Sequence, residues 1–131
     1  MYRVVLDTNV LVSAILASGP PAAVVDLIAN GKLWPFYNDD IISEYWEVLY
    51  RSKFGFQSLH INRLLDSIVK AGSAIETGRP SKTPMTHEDD RKFYDVAKTS
   101  SASLITGNIK HFPKESFIIT PSVFLKTYLL S

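Results

Sequence analysis

The sequence contains no cysteine. That excludes a disulfide framework and any thiolate metal site, and it suits a reducing cytoplasm. Long hydrophobic runs are also missing. The longest apolar stretches, Val10 to Ala17 and Val123 to Leu130, are helix-sized core pieces and fall short of a membrane span. The start shows no signal-peptide pattern. Nor is there an excess of charge of one sign: 14 Lys and Arg against 13 Asp and Glu leave a net charge of +1. Bulk charge therefore does not announce a nucleic-acid partner, and any such binding must come from a local basic patch. No Gly-x-Gly-x-x-Gly follows the first strand and no Gly-x-x-x-x-Gly-Lys occurs, which argues against a dinucleotide site and a phosphate loop. Repeats, low-complexity tracts and charged tails are absent. What remains is an ordinary balance, 46% apolar and 21% charged over 131 residues, sized for one domain spanning 1–131.

Within that balance the pattern alternates. Val4-Val5-Leu6 reads as a strand buried on both faces. Val10 to Leu16 opens a helix, and Ser18-Gly19-Pro20-Pro21 breaks it. A second helix carries Val24, Leu27 and Ile28 on one stripe and stops at Asn30-Gly31. Leu33 to Tyr37 is the second strand, with Pro35 arguing against a central, fully paired position. Asn38 caps a helix to about Arg51, and Ser58 opens another, with Ile61, Leu64, Leu65, Ile68 and Val69 on one face and Gly72 at its end. Ala74-Ile75-Glu76 is a brief third strand. Thr77 to Thr86 reads as a loop that carries Arg79 and Lys82. A helix from His87 to Ser100, strands at Ser103 to Thr106 and Phe117 to Ile119, and a last helix capped by Thr120-Pro121 complete the chain. That last helix turns Phe124, Leu125, Tyr128 and Leu129 inward. Strands alternating with helices predict an α/β fold with a parallel sheet covered on both faces.

Three acids do not fit a solvated face. Asp7 is the first polar residue after the first strand, where open parallel sheets bind ligands; a helix cap is the alternative. Glu44 shares a helical stripe with Ile41, Tyr45 and Val48, and a carboxylate there needs a cation, a metal or a cluster of donors. A buried salt bridge is its alternative reading. Glu47 points elsewhere and has Arg51 four residues on, a plain surface pair. Asp90 shares a face with Phe93 and Ala97; charge complementarity at a helix start is the competing explanation. Asp95, flanked by Arg91 and Lys98, reads as a surface residue. A three-layer fold can bring Asp7, Glu44 and Asp90 to one end of the sheet. No arginine in their motifs balances them, and oxygen-rich clusters of this kind hold Mg2+ or Mn2+.

The motifs resemble those of a known family. Leu6-Asp7-Thr8-Asn9-Val10-Leu11, the acid of Ser43-Glu44-Tyr45, Asp89 to Ala97 with alanine seven residues after Asp90, and Leu104-Ile105-Thr106-Gly107-Asn108 followed by Lys110-His111-Phe112 look like the four motifs of PIN-domain ribonucleases, the VapC-like toxins and their relatives. The resemblance runs from residue 3 to about 125. It implies a three-layer α/β/α sandwich with strand order 3-2-1-4-5 and a Mg2+- or Mn2+-dependent ribonuclease site. It also implies dimerisation and, often, a small antitoxin partner. Asp7, Glu44 and Asp90 take the catalytic and metal-binding positions. Asn108 stands where many relatives have a fourth acid, which weakens the hold on a second ion.

The supporting residues follow from chemistry. Asn9 can fix the Asp7 rotamer, with a helix-start cap as its alternative; Thr106 can orient Asp7 or a metal-bound water, or be a plain strand-end threonine. His111 reads as a turn residue. Arg79, Lys82, Lys110 and Lys114 are candidate phosphate contacts. Trp34, Tyr37, Tyr45 and Trp46 read as packed aromatics ahead of base-stacking ones. The expected function is metal-dependent endoribonuclease, with a non-catalytic PIN scaffold binding RNA or a partner protein as the alternative. A phosphatase or phospho-acceptor domain is disfavoured, because a dehalogenase-type enzyme wants an aspartate where Asn9 stands.

Overall fold

A computed structural model describes residues 1–131. The chain begins with β1 (Arg3–Leu6), α1 (Thr8–Leu16) and α2 (Pro20–Ala29), then β2 (Trp34–Tyr37), α3 (Asp39–Leu49) and α4 (Ser58–Ala71). It continues through β3 (Ser73–Ala74), a 3-10 turn at Glu88–Asp90, α5 (Arg91–Ser100), β4 (Ser103–Ile105), β5 (Ile118–Ile119) and α6 (Pro121–Leu130). All five strands are parallel in the order β3-β2-β1-β4-β5, so the expected α/β architecture and strand order hold. β1 is central, which is why Val4, Val5 and Leu6 are fully enclosed and read as an unbroken apolar run. In parallel strands every carboxyl end lies on one side of the sheet. Asp7 after β1 and Thr106 after β4 therefore emerge as neighbours, because Leu6 pairs with Ile105.

The helices are placed by signals visible in the chain. Asn38 accepts the Ile41 N–H at 2.9 Å and starts α3; Thr120 accepts the Val123 N–H at 3.2 Å and starts α6. Ile61, Leu65 and Ile68 bury the inner stripe of α4, while Val69 stays exposed at its edge. Gly72 is required for packing: a Cβ there would stand 2.4 Å from the Pro35 carbonyl oxygen. No single helix is long and apolar enough to cross a membrane.

Three expectations are corrected. Pro35 lies in a strand paired on both sides. Trp34 N–H donates to the carbonyl of Tyr2, just before β1, so the nitrogen of Pro35 faces the other way, and β3 joins only from Phe36 onward. The missing N–H thus falls where no partner strand runs. Leu129 is exposed: Phe124 and Tyr128, four residues apart, form the face of α6 that packs on Tyr2, and Leu129 lies outside it. Asp95 is buried, not a surface residue. The loop of residues 77–86 covers it, and its Oδ2 accepts the Ser81 N–H at 3.1 Å.

Candidate active site

Asp7 is held from both central strands. Thr106 Oγ1 donates to Asp7 Oδ2 at 2.8 Å, and Asn9 Nδ2 donates to the same oxygen at 3.2 Å. The next links fix those donors in turn. Gly107 N–H donates to Asn9 Oδ1 at 3.2 Å, and Asn108 N–H donates to Thr106 Oγ1 at 2.9 Å. Asn9 and Thr106 thus orient Asp7, as their chemistry suggested. Asp7 stands at the start of α1, yet its side chain makes no capping bond to the helix, so the capping alternative is not realised. Burial is the main reason its carboxyl is pushed up to about 6; Asp90 and Glu44 raise it further, against the Thr106 and Thr8 hydrogen bonds that lower it.

Glu44 comes from the middle of α3. It is half-buried, and its neighbour Tyr45 is fully enclosed and donates its hydroxyl to the Leu6 carbonyl at the end of β1. That bond draws α3 against the strand that carries Asp7. Burial and the charges of Asp7 and Glu44 hold the Tyr45 phenol well above its ordinary range, so it stays a neutral donor. Glu44 itself is engaged twice. Thr8 Oγ1 donates to its Oε2, and Lys92 Nζ lies 2.8 Å from its Oε1. The salt-bridge alternative for Glu44 is therefore present in the structure beside its place among the acids. Glu47 points outward to Arg51, its partner at 2.8 Å, as its register required.

Asp90 ends the 3-10 turn before α5 and makes no cap bond to that helix. Burial raises its carboxyl above the ordinary value; His87 and His111 pull it down, Glu44 pushes it up again and Lys92 offsets part of that. The two imidazoles meet edge to face, 4.8 Å between centroids. Sequence reasoning passed over this pair, and it passed over Lys92 and Thr8. The signal available for Lys92 was weak, because two helical residues span about 200° and place it away from Asp90 on a wheel.

Asp90 and Glu44 lie near enough to raise the proton affinity of Asp7, and Glu44 raises that of Asp90, but no three acidic or histidine side chains close into a metal cage as they stand. The donor chemistry fits a hard divalent cation: carboxylate oxygens, no thiolate, and an amide oxygen at Asn108 nearby. Asn108 is exposed, and only its backbone joins the network around Asp7. Lys110 and His111 share an open groove of about 400 Å³ with Asn108. Arg79 and Lys82 are exposed on the 77–86 loop, and Lys114 is exposed after β4. A larger depression of 640 Å³ lies between the start of α3 and residues 74–78 and does not include the three acids. Of the aromatics, Tyr45 is buried, Tyr37 donates its hydroxyl to Val69, and Trp34 packs on Phe36 at 4.8 Å; Trp46 is part-exposed and stacks on Tyr50.

A parallel sheet in this order, with acids from β1, α3 and the start of α5 meeting at its carboxyl end, defines a class. Residues 3–110 match the family model described as the PIN domain, and the chain belongs to that family. Its members are generally metal-dependent nucleases. The uncharacterized protein MJ1680 of Methanocaldococcus jannaschii is 31% identical over 109 residues, which cover 81% of this chain and 70% of that protein. No solved structure matches the chain.

Proposed function

We propose that this PIN-domain chain is a Mg2+- or Mn2+-dependent endoribonuclease, the toxin of a toxin–antitoxin pair acting in the cytoplasm. One observation carries the reading. Asp7, Glu44 and Asp90 come from three separate elements and meet at the carboxyl ends of the central strands, with Asp7 oriented by Asn9 and Thr106. A structural role alone does not call for three carboxylates gathered where Asp90 and Glu44 raise the pKa of Asp7.

In this proposal Asp7, Glu44 and Asp90 hold the ion, and Asn108 adds an amide oxygen. When bound, the ion supplies a water of lowered pKa and positive charge against the developing charge on a phosphodiester. The chain's own residues set the geometry. The Asn9–Thr106 network fixes the rotamer of Asp7, and Tyr45 fixes α3 to the end of β1. Arg79, Lys82 and Lys110, all exposed, contact RNA phosphates and position the substrate. Cleavage leaves 5′-phosphate and 3′-hydroxyl ends. A homodimer and a small antitoxin belong to the same proposal. The neutral Asn108 is the one feature that favours a scaffold which binds RNA without cutting it.

The test is cleavage of a structured RNA with Mn2+ or Mg2+, with chelator, and with Asp7→Asn and Asp90→Asn. Cleavage that needs the metal and is lost in both variants supports the enzyme. Cleavage that survives chelation, or survives in both variants, refutes it. RNA binding with no cleavage under any metal favours the scaffold.

A further inference from the structure

The acids of this site are not left unbalanced. Lys92 lies on α5, two residues beyond Asp90, and its ammonium is held on three sides. Nζ is 2.8 Å from Glu44 Oε1, donates to the Asp89 carbonyl, and lies 5.3 Å from the centre of the Phe93 ring. The pair is mostly shielded, with 19% of the Lys92 side chain and 25% of the Glu44 side chain exposed. Its charge also reaches Asp90. One fixed ammonium therefore sits among the carboxylates, and one of those carboxylates is occupied by it.

Resting on the metal-dependent reading above, we propose that Lys92 is an exchangeable counter-charge: it neutralises Glu44 in the metal-free protein and transfers to an RNA phosphate oxygen when a divalent ion takes Glu44. The argument is electrostatic. A half-buried carboxylate beside two others is costly without a cation, and Lys92 supplies one. A divalent ion and an ammonium cannot share Glu44 without strong repulsion, so occupancy by one weakens the other. A lysine suits the exchange because its charge is a compact point on a flexible stem, able to leave Glu44 and meet a phosphate, whereas a guanidinium fork would bind the carboxylate bidentately. The open groove beside it, bounded by Asp40, Ser43, Glu88 and Asp89, leaves room for that movement.

The experiment titrates Mn2+ calorimetrically into wild type, Lys92→Met and Lys92→Arg, and then a 5′-phosphorylated dinucleotide into each Mn2+-loaded protein. Methionine keeps the length of the stem and removes the charge. The expected result is Mn2+ affinity tightened roughly tenfold in Lys92→Met, by removal of a competing cation, with the dinucleotide bound several-fold more weakly. Lys92→Arg keeps the charge and binds Mn2+ no tighter than wild type, because its fork holds Glu44 at least as strongly. Circular dichroism and melting of each metal-free protein confirm that the variants are folded. Opposite signs in the two titrations are the signature, because a merely structural lysine would weaken both or neither. Lys92→Met that binds Mn2+ no tighter than wild type, or the dinucleotide equally well, overturns the exchange while leaving the metal site intact. Wild type that takes up no Mn2+ overturns the metal-dependent reading and this inference together.

Discussion

Asp7→Asn in the metal-free protein gives the most direct energetic test of the site. The substitution keeps the shape of the side chain and an acceptor for Thr106 and Asn9 but removes the charge. The Asp7 carboxyl titrates at about 6 in the fold against 3.8 for the free group. A raised carboxylate pKa means the folded state holds the proton more tightly. Below the unfolded value both states are protonated and nothing is lost; as pH rises through the folded value the native protein must bury a bare charge. The penalty is about 3 kcal/mol at pH 7 and about half that at pH 5, from roughly 1.4 kcal/mol per pK unit. The hydrogen bonds from Thr106 and Thr8 that favour the charged form are already contained in that value, so the penalty is net. Asp7→Asn should therefore be about 3 kcal/mol more stable than wild type at pH 7 with chelator present, and the gap should close toward pH 4. Urea denaturation of both proteins at several pH values measures it. A variant equally stable or less stable at pH 7, with no pH dependence in the difference, would show that Asp7 carries no burial penalty. Added Mn2+ should reverse the order, because binding to the native state stabilises only the protein that keeps the carboxylate.

The other substitutions divide the site by role. Glu44→Gln should lower RNA cleavage at least a hundredfold, whereas Glu47→Gln, which loses only a surface pair with Arg51, should change stability by about 0.5 kcal/mol and leave cleavage as it was; similar losses from both would mean Glu44 is no ligand. Asn108→Asp should tighten Mn2+ binding by a few-fold and slightly destabilise the metal-free protein, since it adds a charge to an acidic centre; calorimetry that finds no change in affinity or stoichiometry removes residue 108 from the metal site. Arg91→Met should loosen the 77–86 loop, because Arg91 donates to the Ser81 and Thr83 carbonyls at 2.7 Å each. Losing those bonds costs about 1–3 kcal/mol locally, and amide hydrogen exchange at residues 81–83 should accelerate; unchanged protection there would show that Asp95 alone anchors the loop.

What the chain showed in advance, and what it did not, has a physical pattern. β1 and α4 were legible because their apolar spacing matches the period of the element and the burial it meets. Asp7 and Glu44 stood out because each breaks an apolar pattern at a position that faces the core or the strand ends. Asp95 misled because Arg91 and Lys98 flank it on its helix, while Ser81, whose N–H it accepts, lies 14 residues upstream and reaches it only in the folded state. One of its oxygens, Oδ1, is buried with no hydrogen-bond partner, and no helical pattern marks such an atom. Lys92 was missed for a related reason. A helical wheel locates Cβ atoms, and a lysine carries its charge several bonds further, far enough for the ammonium to cross to Glu44 on another helix.

The same geometry separates the acids into one that is fixed and two that are adjustable. Asp7 belongs to a ring of hydrogen bonds joining the ends of β1 and β4: Asn9 and Thr106 bind it, and Gly107 and Asn108 bind them through backbone N–H groups. Moving Asp7 would disturb two central strands, which are the most enclosed part of the sheet. Glu44 is held by the hydroxyl of the buried Thr8 and by a lysine whose ammonium sits on a long flexible stem. Asp90 closes a single 3-10 turn and caps nothing. A site built this way needs no complete cage in advance. On the metal-dependent reading proposed above, the fixed carboxylate would set the position and the other two would close around the cation, so that rearrangement would be confined to side chains on α3 and the 3-10 turn while the sheet stays as it is.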